Sequence, residues 1–218
     1  MLKKLSVLLI PLLALPILSA CGKTNYYDYV SEAKEDIFLA ETQTYRISLS
    51  CITREYPYIS DGVPCPTARV IEISLTSDDR SSPYSAYLLG EKEIGGELGF
   101  RTFADDFFFS QSVEEFPEGS VTLRIEKDGA SEEITATSVK NEKTLTPKQA
   151  LARAVESEKE TIKSMTGKDG FAGEFYVRLL RRETNYYYVG IIDKNGGTLS
   201  LLLDGETGEV LARRKTQG

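Results

Sequence analysis

Residues 44–52 read TYRISLSCI, and the fold class turns on this stretch. Tyr45, Ile47, Leu49 and Cys51 alternate with Arg46, Ser48 and Ser50. Apolar residues at every second position mark a half-buried antiparallel strand, because successive side chains point to opposite faces. The same period recurs downstream. Ile71, Ile73 and Leu75 alternate with Glu72 and Ser74, and Val121, Leu123 and Ile125 alternate with Thr122, Arg124 and Glu126. Further strands are expected at 84–90 and 103–110, and Asp128-Gly129 favours a tight hairpin. Short strands joined by polar turns predict an antiparallel β-sandwich or barrel-like domain over residues 44–141.

Toward the C-terminus the pattern changes. Residues 140–146, KNEKTLT, read as a polar linker. Thr146-Pro147-Lys148-Gln149 has the form of a capping box with proline at the first helical position. Leu151, Ala154, Val155, Ile162 and Met165 then share one helical face, and Gly167 is placed to end the helix with a positive φ. Strands follow at Phe175–Leu179, Tyr186–Asp193, Leu199–Leu203 and Glu209–Arg214, with turns at Asn195-Gly196 and at Asp204–Gly208. One helix followed by an antiparallel meander predicts a small α+β domain over residues 146–214, so the whole chain is expected to be α+β.

Three segments of this last third resemble a PepSY-like domain: the helix start Thr146–Leu151, the aromatic strand Tyr186–Asp193, and the strand–turn–strand Leu203–Leu211. The resemblance implies a non-catalytic module of exported or membrane-anchored bacterial proteins, restraining proteases or binding other envelope proteins. It carries over no catalytic residue. Tyr186, Tyr187 and Tyr188 must alternate in direction along their strand, so at least one faces away from the core. With Arg178 on the preceding strand, they form a candidate binding face for an acidic or peptide partner.

Upstream of residue 44, Tyr26, Val30, Ala33, Ile37 and Ala40 recur at helical spacing and predict a helix over 26–40. Residues 1–20 hold Lys3 and Lys4, then an apolar stretch interrupted by Pro11 and Pro16. A spanning helix needs roughly 20 apolar residues and tolerates proline poorly, so the stretch reads as a secretory signal. Leu18-Ser19-Ala20-Cys21 resembles the lipobox of bacterial lipoproteins. That resemblance implies cleavage before Cys21, acylation of its thiol, and a lipid anchor on the extracytoplasmic face of a membrane. Two acyl chains suffice, since each buried methylene contributes roughly 0.8 kcal/mol. Residues 21–43 are then an anchor, a short tether and the helix.

Cys51 and Cys65 are the other cysteines. In an exported chain, a hairpin folded near residues 56–60 brings them together, and a disulfide is expected. A bridge closing so short a loop stabilises by about 3 kcal/mol in the chain-entropy model.

The 218-residue chain carries a formal net charge of −7, with 41% hydrophobic residues and no histidine. Without an imidazole, histidine-dependent triads and metal sites are excluded. The acidic balance argues against nucleic acid as a partner. The charge is uneven: residues 21–143 carry a net −11 and residues 144–218 a net +2. Two further constellations stand out. Ser31-Glu32-Ala33-Lys34 has Ser-x-x-Lys spacing but lacks the companion motifs of penicillin-recognising enzymes. Asp105-Asp106 and Glu114-Glu115 flank Phe107–Phe109, where carboxylates beside aromatics suit a sugar or calcium ion, or simply guard a buried aromatic strand. The expectation is therefore a non-catalytic lipoprotein without cofactor or metal, engaging an envelope protein or, alternatively, a solute or cell-wall glycan.

Overall fold

The computed structural model describes residues 24–56 and 65–216, so the lipobox, including Cys21, lies outside the described residues. Tyr26–Tyr29 forms a single 3-10 turn. The strands that follow are β1 (Val30–Glu41), β2 (Tyr45–Glu55), β3 (Thr67–Ser77), β4 (Ser85–Leu89), β5 (Ile94–Glu97), β6 (Gly99–Arg101), β7 (Asp106–Ser112), β8 (Ser120–Lys127) and β9 (Ala130–Ser138). Then come helices α1 (Pro147–Ser157) and α2 (Lys159–Ser164), a small pair β10 (Thr166–Gly167) and β11 (Gly170–Phe171), and β12 (Gly173–Arg181), β13 (Asn185–Asp193), β14 (Thr198–Asp204) and β15 (Val210–Thr216).

One sheet joins almost all of these strands. Its path runs β15-β14-β13-β12-β1-β2-β3-β7-β6, while β9 also pairs with β1 and leads through β8 and β4 to β5. Only Leu98 separates β5 from β6, so the ring β1-β2-β3-β7-β6/β5-β4-β8-β9 comes close to closing on itself as a barrel. Leu98 sits in the seam with its side chain 1% exposed, and its N–H donates to the Tyr84 carbonyl at 2.8 Å. Gly95 makes the tight approach feasible, because a Cβ there would run into the Ala86 carbonyl oxygen. Phe38, Ile47, Leu49, Ile73, Leu75 and Leu123 fill the barrel without measurable exposure.

The α+β expectation is thereby corrected. Strand accounts for 57% of the structure and helix for 11%. The C-terminal meander is not a separate helix-covered sheet, because β12 pairs in parallel with β1 and extends the barrel's own sheet. α1 starts at the capping box, where the Thr146 hydroxyl accepts from the Gln149 N–H and the Gln149 side chain accepts from the Thr146 N–H. Its Ala150, Leu151 and Ala154 pack on Phe175, Val177 and Leu201 in a second core. The helix breaks at Glu158 and does not run to residue 165, and Gly167 lies in β10 with no positive φ. Ser157 contributes to the break by donating back to the Ala154 carbonyl at 2.9 Å.

The expected helix over 26–40 is also corrected: from Val30 the chain is a strand. Its register against β2 shifts between Lys34 and Asp36, a bulge that leaves Glu35 as the extra residue. Before the bulge β1 pairs with β12, and beyond it Phe38 and Leu39 pair with β9. Past the bulge both faces are covered, with Phe38 in the barrel core and Ile37 in the second core. Apolar residues on both faces, with one residue inserted between, give the three- and four-residue spacings that imitate a helix.

No disulfide joins Cys51 to Cys65, and the expected bridge is corrected by register. β2 pairs with β3 such that Cys51 faces Ile71, six residues beyond Cys65. At about 3.4 Å per residue that is an offset of about 20 Å, far beyond disulfide reach. The last described pair of the two strands is Glu55 with Thr67, so Cys65 precedes β3, where its N–H donates to Glu55 at 2.5 Å.

Candidate functional site

Strand alternation divides the predicted tyrosine face. Tyr187 is fully buried, and its hydroxyl donates to the Leu145 carbonyl at 2.6 Å, which ties β13 to the segment leading into α1. Burial raises its phenol above the ordinary tyrosine value. Tyr186 and Tyr188 lie on the opposite, partly exposed face, and the Tyr188 hydroxyl shares a 2.8 Å hydrogen bond with Ser200. Arg178 shares that face. Its Nε and a terminal nitrogen reach both Glu32 carboxylate oxygens, at 2.6 and 3.2 Å. Its guanidinium carbon lies 4.6 Å from the Tyr176 ring centre and 6.0 Å from that of Tyr188. A guanidinium held at both ends in this way fastens β12 to β1 and has little charge left for a partner.

The other candidate groups are also committed to structure. Ser31 and Lys34 are three apart on a strand, so they point to opposite faces. Ser31 is buried and donates to the Phe175 carbonyl at 3.2 Å. Burial pulls the Lys34 amine below its ordinary value, against the pull of Glu72 and Glu32. Asp105 occupies a left-handed turn position with φ 57° and pairs with Arg80 at 2.7 Å. Burial pushes the Asp106 carboxyl up, but hydrogen bonds from Arg101 at 2.8 and 2.6 Å and from Ser74 at 2.5 Å hold it below the usual carboxylate range.

Glu114 and Glu115 belong to a different place. They lie at one end of the barrel, its mouth, where residues 113–118 lead from β7 toward β8. The mouth is a cleft of about 1050 Å³. Cys51 and Thr53 of β2, Arg69 of β3, the β1 bulge residues Glu35 and Asp36, and Lys140 complete its wall. Arg69 pins the segment after β7: a guanidinium nitrogen donates to the Glu114 carbonyl at 2.6 Å, and the Arg69 carbonyl accepts from the Val113 N–H at 2.9 Å. The bulge explains why two consecutive acids both reach this wall. Glu35 accepts from the Thr53 hydroxyl at 2.6 Å. Asp36 accepts from the Ser138 hydroxyl at 2.7 Å, and the Lys140 ammonium lies 3.7 Å away.

Electrostatically the mouth is acidic. Among the described residues Glu35, Asp36, Glu114, Glu115 and Glu118 face Arg69 and Lys140 alone. At its base Cys51 is 1% exposed, and burial, then Asp36 and Glu35, push its thiol up to about 12. A thiol so placed stays protonated near neutral pH and is a poor nucleophile. Among the described residues no group of three His, Cys, Asp or Glu side chains is placed to hold a metal ion. None of their helices is long and apolar enough to cross a membrane. Glu35, Asp36, Arg69 and Lys140 carry no motif in the sequence. They meet only because the bulge and the strand order bring them to one rim, and the sole local signal is an acidic pair inside an apolar strand.

Compared with protein-family models, with curated proteins and with solved structures, the chain finds no match in any of the three.

Proposed function

We propose that this chain is a non-catalytic, lipid-anchored extracytoplasmic binding protein whose barrel mouth takes a small polar solute bearing positive charge. The observation that carries the reading is the mouth itself: about 1050 Å³ of open cleft with five carboxylates against two cations. Its volume is at the upper end of small-ligand sites, roughly 300–1000 Å³. Its polar rim and acidic balance favour a hydrated cation, such as a polyamine or an amino sugar of cell-wall type, over an apolar ligand. A protonated Cys51 thiol, a divided Ser31 and Lys34 and the absence of histidine support a binding role without catalysis. The lipobox Leu18-Ser19-Ala20-Cys21 supports the anchor and the location. A protein partner at the tyrosine face is less favoured, because Glu32 already occupies Arg178.

Thermal-shift titration of the full chain in detergent, with spermidine, a glucosamine oligomer and an N-acetylglucosamine oligomer, tests the site. The cationic ligands are expected to raise Tm saturably, with the effect weakened by added salt and lost in the Glu35→Gln, Glu115→Gln double variant. Equal shifts in wild type and variant, or none with any cation, overturn the assignment. Palmitate labelling that persists in Cys21→Ser overturns the anchor separately.

A further inference from the structure

Among the described residues, strand β15 ends the sheet and pairs with β14 alone. Every residue from Leu211 to Thr216 is exposed. The outer side of such a strand is a row of backbone N–H and C=O groups without a sheet partner, a template for one more strand. Three cations stand in succession on it. Arg213 lies opposite the buried Leu201 and faces the helix side, where it donates to Glu158 at 2.7 Å. Arg214, opposite Ser200, points to the other face, and Lys215 returns to the helix side. Among the described residues neither Arg214 nor Lys215 forms an ion pair. Beside Arg214 runs a shallow groove of about 510 Å³, lined by Tyr188, Ser200, Leu202 and Ala212.

We propose that the free edge of β15 receives an extended acidic segment of another protein, which adds a strand to the sheet and sets carboxylates against Arg214 and Lys215. Charge selects this occupant. Antiparallel self-pairing centred on Arg213 sets that residue against its own copy. Centred on Arg214 it sets Arg214 against its own copy and Arg213 against Lys215. Like charges directly opposite destabilise a strand pair, so these registers are disfavoured for a second copy of this chain. An acidic strand reverses the sign of each contact. Backbone pairing supplies the geometry, and the groove beside Arg214 accommodates the side chains of one face. This edge is separate from the barrel mouth, which lies on other strands.

The test is fluorescence anisotropy with the full-length protein at low salt and three labelled nonapeptides. One repeats Glu-Glu-Val, so that neighbouring carboxylates fall on both faces, one repeats Lys-Lys-Val, and one keeps the glutamates but replaces the valines by proline, which cannot complete a strand pair. The Glu-Glu-Val peptide is expected to bind saturably and to slow hydrogen exchange at residues 211–216, while the other two do not bind. Arg214→Glu with Lys215→Glu is expected to weaken binding about tenfold, since two attractions become two repulsions. Both side chains are exposed, so melting should be unchanged. Should that variant fold poorly, Arg214→Gln with Lys215→Gln should give an intermediate loss. Equal binding of the proline peptide would show adsorption without strand addition and overturn the proposal. So would an unchanged affinity in the charge variants, or a dimer in sedimentation that Arg214→Glu dissolves.

Discussion

Replacing Phe38 by alanine tests whether the barrel and the C-terminal sheet unfold as one body. Phe38 is fully buried in the middle of β1, between Leu49 of β2 and Ser138 of β9. A buried aromatic removes roughly 150–250 Å² from water, and at about 25 cal/mol per Å² that contributes about 4–6 kcal/mol. Measured Phe→Ala losses of about 3–5 kcal/mol agree, since the Cβ remains and the cavity relaxes in part. A loss of about 4 kcal/mol leaves a domain of ordinary stability folded. Its neighbour Ile37 belongs to the second core, so β1 cannot leave one core without leaving the other. Native-state hydrogen exchange read by mass spectrometry separates the two: residues 121–125 report β8 in the barrel and residues 187–191 report β13 in the second sheet. The slowest amides of both segments should exchange close to a thousandfold faster in Phe38→Ala, at 1.4 kcal/mol per tenfold. Leu179→Ala, in the second core, should likewise accelerate both. If Phe38→Ala accelerates β8 and leaves β13 at its wild-type rate, the shared strand does not couple them and the reasoning fails.

Two further outcomes follow from the same structure. The Asp204 carboxylate accepts hydrogen bonds from the Thr207 and Glu206 N–H groups and the Thr207 hydroxyl, which hold it below the usual carboxylate range. A depressed folded value gives stability that is full above the unfolded value of about 3.9 and is lost as pH falls through the folded one. Asp204→Ala should therefore cost about 1 kcal/mol at pH 7 in urea titrations, with the gap to wild type narrowing in acid; a gap constant down to pH 2 would refute this. Cys51 should resist iodoacetamide at pH 8 until the chain unfolds, because its thiol is buried and pushed up to about 12. Rapid carboxymethylation of Cys51 in the native protein, followed by peptide mass mapping, would contradict that placement.

Local chemistry made several elements readable along the chain. The Thr146–Gln149 capping box is complete within four residues, and both its hydrogen bonds form. Asp128 and Gly129 take φ values of 52° and 77°, the pair of left-handed positions a tight hairpin between β8 and β9 needs. The alternation in TYRISLSCI became a strand whose odd residues line the barrel. The site was far less legible. Glu35, Asp36, Arg69, Glu115 and Lys140 are spread over about half the chain, and no spacing rule links them. Tyr187 and Arg178, candidates for a binding face by sequence, are fasteners in the fold, held by burial and by Glu32.

What the sequence determined by itself was much of the local conformation, residues 30–40 excepted: period-two strands, the capped start of α1 and the Asp-Gly turn depend on neighbours a few residues away. Tertiary structure alone decided which strands became neighbours. A single extra residue at Glu35 lets β1 serve two sheets, and the β2–β3 register carries Cys51 six residues away from a position facing Cys65. Those outcomes rest on long-range burial and ladder pairing, whose free energy is shared across the whole sheet, and no short window of residues contains it.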